Sequence, residues 1–521
     1  MIKNIKWLLL VSLTFVACNN DEDAANTAEV PIISGEASFA NYVALGDSFA
    51  AGYSDGALFK TGQDGSYVAI LSQQFALAGG GTFKIPYTSD DIGGLLLGGN
   101  VIAGTRLYFN GTGPVPVSGT PTTEVSSTIT GPFNNLGIPG AKSFHLVAPG
   151  YGNVAGVATG AANPYFARFA TAPGTTVIAD ALVQKPTFFS LWIGGNDVLS
   201  YATSGGIGVN QTGNLNPATY GGNDITDPNV FANVFSALVT NLTAGGAKGV
   251  VANLPYVSTL PYFKTVPFNP LTSKVLGGGD AAVGDATINA LNTQLYGPLK
   301  QALTAFGAGD RINLLSKTTA NPLLIKDESL PNLAAQLTAA FTPSLGAATA
   351  GFYGAVFGQA RQATAADLVT LPTQSSIGTA PTAADSGLGF APPAPLNKFG
   401  ITYPLQDKHL LIPSEIAEIK VATDAYNATI KTVADAKGLA FVDSKSIMDM
   451  LSSPGGIVSD NYTLTSTYVT GGAFSLDGVH PSPRGYALIA NAFSTAINAK
   501  FGSNLPLVDL GLYRILYPKS L

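Results

Sequence analysis

A single cysteine in 521 residues leaves this chain unable to form an internal disulfide, so its folded state must be held by an apolar core. Histidine is almost as rare. The three that occur (His145, His409 and His480) are scattered, and without a His-Glu-x-x-His pair they supply none of the usual zinc-ligand sets. No EF-hand loop is present, so neither a metal nor another cofactor is expected. Charge is scarce too: Lys, Arg, Asp and Glu make up 11% of the chain, where about a quarter is ordinary. A net charge of −6 with no basic cluster argues against a nucleic-acid partner. Beyond the N-terminus no apolar run reaches the ~18 residues of a membrane span. What is present is 46% apolar residues, 60 glycines and 33 prolines. The glycines lack a fixed period, which excludes collagen, and the composition fits neither a coiled coil nor a disordered polyelectrolyte. A large, loop-rich globular protein remains, and length alone would allow about three domains.

The N-terminus sets the compartment. Lys3 and Lys6 precede the apolar stretch Trp7 to Ala17, too short for a span and suited to a signal-peptide core. It runs into Cys18 through Phe15-Val16-Ala17, a segment that resembles a bacterial lipobox with Phe in place of the usual first Leu. The expectation is a signal peptide over 1–17, lipidation of Cys18, and a solvated acidic tether over 18–38. That places the chain in the cell envelope as an outer-membrane lipoprotein, periplasmic or surface-exposed, held to the membrane by its lipid.

Short apolar runs alternate with helical patterns along the rest of the chain. Strands are expected at Tyr42–Gly46, Phe133–Gly137, Thr187–Ile193, Gly249–Leu254 and Leu439–Val442. Amphipathic helices are expected at Asn229–Ala244, Ala282–Phe306, Pro413–Lys437 and Pro483–Phe501. Alternation of this kind predicts an α/β fold with a parallel sheet covered on both faces. The spacing between strands is uneven, so large insertions are expected at about 80–130 and 255–400 within one domain over 39–521.

Four segments carry candidate chemistry. Gly46-Asp47-Ser48 follows the first strand, where open α/β sheets place ligands. Asn135-Leu136-Gly137-Ile138-Pro139-Gly140 is a strand-to-helix turn in which Gly140 can present a bare N–H. Gly194-Gly195-Asn196-Asp197 follows the third strand and offers the Asn196 amide as a donor. Asp477-Gly478-Val479-His480 precedes the last helix, and a carboxylate three residues from a histidine can hold its tautomer. His145 and His409 have no acid so placed and read as satisfied or surface histidines.

Each segment alone is a common turn, but together they occur in the order of the four motif blocks of the SGNH/GDSL hydrolases. The chain resembles that family over about residues 40–255 and 400–500, with Phe49 where the name-giving motif has Leu. The resemblance implies a flavodoxin-like three-layer fold with a five-stranded parallel sheet in the order 2-1-3-4-5. It implies a Ser48–His480–Asp477 triad, an oxyanion hole of Ser48, Gly140 and Asn196, and hydrolysis of carboxylic esters through an acyl-enzyme. The expected partner is an ester substrate, a lipid or an acylated glycan, and the chain is taken as a monomer. A carbohydrate acetyl-esterase on the same scaffold, or a non-catalytic surface-binding lipoprotein, are the alternatives. Residues 91–160 and 331–400 carry only four charged side chains each. Segments 91–130 and 331–400 are therefore expected to wall an acyl groove beside Ser48.

Overall fold

The computed structural model describes residues 31–459 and 461–521. The signal peptide, Cys18 and most of the tether lie outside the described residues. Among the described residues no helix is long and apolar enough to cross a membrane.

In chain order the frame is β1 (Tyr42–Gly46), α1 (Ser48–Ala51), α2 (Tyr67–Leu77), β2 (Asn135–Gly137), β3 (Phe188–Trp192), α3 (Asn196–Thr203), α4 (Pro228–Thr243), β4 (Lys248–Ala252), α5 (Pro413–Lys437), β5 (Ala440–Val442) and α6 (Pro483–Phe501). The five strands form one parallel sheet in the order β2-β1-β3-β4-β5, which is the expected order. Every residue of β1 and β3 is buried, as a parallel strand covered on both faces requires. Side chains alternate across the sheet. Phe188 packs edge-on against Phe75 of α2, and Trp192 packs against Phe493 of α6, so these two helices cover one face. On the other face Phe231 of α4 stacks on Tyr426 of α5 at 4.3 Å.

The helices follow from local chemistry. Asp227 caps α4 by accepting the N–H groups of Asn229 and Val230, with Pro228 at the first helical position. In α5, Ile419, Ala422, Thr423, Tyr426, Ile430 and Ala434 form one buried stripe, and Gly438 ends the helix in the left-handed conformation. The helix expected over 282–306 runs without a break from 281 to 305 and carries a π turn at Asn292–Tyr296 between Ala281–Leu291 and Gly297–Ala305. Pro298 is the cause: it has no N–H and its ring crowds the carbonyl four residues back, so the wider turn absorbs it. The strand expected from Phe133 begins at Asn135; just before it the Asn134 N–H goes to the Lys84 carbonyl, and the Asn134 side-chain amide donates to the Tyr42 carbonyl.

Two findings modify the expected organisation. Residues between Val266 and Ile412 build a hydrophobic core of their own, around Leu299, Ile312, Ile325 and Phe357, distinct from the core of the main sheet. The end of the expected tether is docked: Glu36 donates to the Phe501 carbonyl, and Ala37 is buried in the main core.

Register fixes the edge at which loops emerge. Gly46 pairs with Gly137 on one side and Trp192 on the other, so β1, β2 and β3 end level. Asp47-Ser48, Ile138–Gly140 and Ile193–Asn196 therefore leave the sheet side by side. A Cβ on Gly137 would sit 2.3 Å from the Ala51 nitrogen, so α1 is pressed against the end of β2 in a way only glycine permits.

Candidate active site

Ser48 opens α1, where the Asp47 side chain caps the helix by accepting the Phe49 N–H at 3.0 Å. The Ser48 Oγ lies 2.8 Å from His480 Nε2, a contact between residues 432 positions apart. His480 Nδ1 lies 3.0 Å from an Asp477 carboxylate oxygen. Asp477 also accepts the N–H groups of Val479 at 2.9 Å and His480 at 2.8 Å, which wraps its loop around the carboxylate. Burial alone would raise this carboxyl, but the facing imidazole and the hydrogen bonds from His480 and Val479 hold it down at about 2. Asp477 is therefore ionised and acceptor-only, so Nδ1 of a neutral His480 carries the proton and Nε2 is left to accept from Ser48.

A turn not singled out from sequence completes this arrangement. Gly56 donates its N–H to Asp477 at 2.9 Å, Asp55 accepts the Leu476 N–H at 2.8 Å, and Ser54 donates to the Pro481 carbonyl at 3.1 Å. Residues 54–56 thus strap the Asp477–His480 loop to the segment that follows the nucleophile. The Tyr53 ring lies 4.7 Å from the imidazole and limits its rotation. The only signal in the sequence is the turn-forming Ser54-Asp55-Gly56, which is too common to be assigned a partner.

Three N–H donors in the loops at this sheet edge have a hydrogen to spare. Neither the Ser48 nor the Gly140 N–H reaches a protein acceptor among the described residues. Gly140 has φ +79°, the left-handed conformation that favours glycine. Asn196 spends one amide hydrogen on the Ala141 carbonyl at 3.0 Å, leaving the other for a ligand. The neighbouring Asp197 is buried and accepts both the N–H and the hydroxyl of Ser143, at 2.8 and 2.7 Å. It ties the Gly140 loop to α3, a positioning role that spacing in the sequence could not assign. Asp47 lies close to this cluster, and burial pushes its carboxyl up to about 7.

The remaining histidines are structural. His145 accepts the Lys142 N–H and His409 the Gln406 N–H, each at 3.0 Å, and burial first, then a nearby lysine, lowers both to about 4. Of the two low-charge segments, the first reaches a large cavity beside the Gly140 loop, where Leu97 and Ile102 are lining residues together with His145, Tyr151 and Asn163. A smaller apolar cavity lies against Phe49, lined also by Trp192, Val198, Leu254, Leu260 and Val479, with none from 91–130 or 331–400. The first segment also supports the strap, through the Leu107 N–H on the Asp55 carbonyl. The second belongs to the separate core, because its apolar side chains find partners there.

The Asp477–His480–Ser48 line is an arrangement that can deprotonate a serine hydroxyl. Comparison of the chain with protein-family models, with curated proteins and with solved structures finds no match, so the reading of this site rests on its own geometry.

Proposed function

We propose that the protein is a serine esterase of the SGNH/GDSL type, anchored to the cell envelope through a lipid on Cys18. The observation that carries this reading is the unbroken line of hydrogen bonds from Asp477 through His480 to Ser48, at 3.0 and 2.8 Å. Ser48 Oγ attacks the ester carbonyl carbon while its proton passes to His480 Nε2. Asp477 stabilises the imidazolium that forms. The tetrahedral oxyanion takes hydrogen bonds from the N–H groups of Ser48 and Gly140 and from the Asn196 amide. Collapse expels the alcohol, which takes the proton from His480 and leaves an acyl-Ser48. Water, deprotonated by the same imidazole, then releases the acid. One chain supplies every group, so the reaction needs no second copy.

The decisive experiment is labelling with a fluorophosphonate, in which the serine oxygen displaces fluoride from phosphorus. One label per chain on the peptide containing Ser48, absent from Ser48→Ala, is the expected result. A label elsewhere, or none, overturns the proposal. Asn196→Ala is expected to lower kcat by roughly 10²–10³ with little change in KM, because its free hydrogen is used in the transition state. An equal fall in a folded variant's substrate binding, with kcat preserved, would instead mark Asn196 as a ground-state contact.

A further inference from the structure

We propose that the apolar cavity against Phe49 holds the acyl group of the substrate, and that Phe49 closes it off from a second apolar chamber, restricting the enzyme to short acyl chains. This rests on the esterase reading. The near cavity measures about 40 Å³ and reaches from Asp47, Gly195 and Val479, the chain neighbours of Ser48, Asn196 and His480, to Leu199 and Leu254. A second chamber of about 60 Å³ lies between the helix Ser444–Ser452 and α6, lined by Ile447, Met448, Leu451, Leu488 and Ala492 among others. Phe49, Trp192, Pro255 and Leu260 line both. They are therefore the partition between the two.

Within that partition Phe49 is the side chain nearest the chemistry. Its ring centroid lies 5.5 Å from that of His480 and 5.1 Å from that of Trp192. Trp192 is fixed by its indole N–H on the Asn253 carbonyl at 3.0 Å, whereas the half-buried Phe49 ring has no such tie. One water needs about 10–15 Å³ of such volume, and a methylene is close to a water in size. The near cavity thus takes about three or four carbons beyond the carbonyl, and both chambers joined take about eight. Removing the Phe49 ring joins them.

The test is a series of p-nitrophenyl esters from acetyl to dodecanoyl. The wild-type kcat/KM is expected to peak near butanoyl and fall steeply by octanoyl. Each buried methylene is worth about fourfold, so Phe49→Ala should raise the octanoyl-to-butanoyl ratio by on the order of 10². Ala492→Phe, which fills the far chamber, should reverse that gain in the Phe49→Ala protein. A wild-type profile that favours long chains, or a ratio unmoved by Phe49→Ala, overturns the assignment. Calorimetry of octanoate binding to Ser48→Ala protein, with and without Phe49→Ala, reads the cavity without turnover. Tighter octanoate binding in the double variant, in a protein that hydrolyses no ester, overturns the esterase reading and retains the cavity. Ser48-dependent hydrolysis with unchanged octanoate binding overturns the cavity alone.

Discussion

Ser48→Ala is expected to lower kcat for a short ester by roughly 10⁵, with the fold and KM nearly intact. The size follows from what is lost. Without Oγ no acyl-enzyme forms, and His480 can only assist a water that nothing holds in line for attack. The donors at Gly140 and Asn196 remain, so a residual rate above the uncatalysed one should survive. Alanine fits the helix start, because the cap is made by Asp47 and the Ser48 N–H is untouched. Steady-state kinetics beside a thermal melt check this directly. A variant that folds normally and retains a tenth or more of the wild-type rate would show that the hydrolysis arises elsewhere.

Asp477→Asn is expected to cost roughly 10⁴ in kcat, for a different reason. An asparagine keeps the shape and can still accept from Val479 and His480, but its Nδ2 hydrogens oppose the Nδ1 proton. The imidazole then settles into the tautomer that presents Nε2–H to Ser48 and cannot take the serine proton. The same substitution has a signature in stability. The Asp477 carboxyl is held down at about 2 in the fold, below its ordinary unfolded value. Its ionised form is the one the fold favours, so the contribution is present above about pH 4 and is lost as pH falls through about 2. A difference of about 2 kcal/mol between wild type and variant at pH 4–5 should therefore shrink toward zero near pH 2. Asp47 and Asp55, both pushed up to about 7 by burial, act with the opposite sign and lose stability as pH rises toward that value. The Asp477 charge helps to raise Asp55, so the variant also relieves part of that penalty as pH rises, whereas Asp47 is common to both proteins and cancels in the difference. Denaturant melts at pH 2–6 measure it, and a difference that persists unchanged at pH 2 would mean that Asp477 acts through packing rather than charge.

What could be read before the fold was known was local. β1, α5 and α6 begin and end where their apolar periodicity and capping residues place them, because Pro413, Gly438, Ser482 and Gly502 act on their nearest neighbours. The misreadings were non-local. Residues 36 and 37 looked like tether because their partners, Phe501 and the main core, lie at the far end of the chain. Low charge marked 331–400 as special, but charge depletion indicates burial without saying against what, and that segment buries itself in a core of its own.

The sequence by itself determined the chemical inventory and its order: Ser48, Gly140, Asn196 and the Asp477–His480 pair, each at the end of a strand or the entrance to a helix. In a parallel sheet all carboxyl ends share one edge, so residues at successive strand ends are brought together by topology alone. Only the tertiary structure decided how the last pair meets the first residue. That contact depends on the strap at Ser54–Gly56, which exists only where two loops more than 400 residues apart are packed against each other. It also decided where the apolar cavities on either side of Phe49 lie. Cavities are the space left between side chains from several elements, and no single stretch of sequence contains that space.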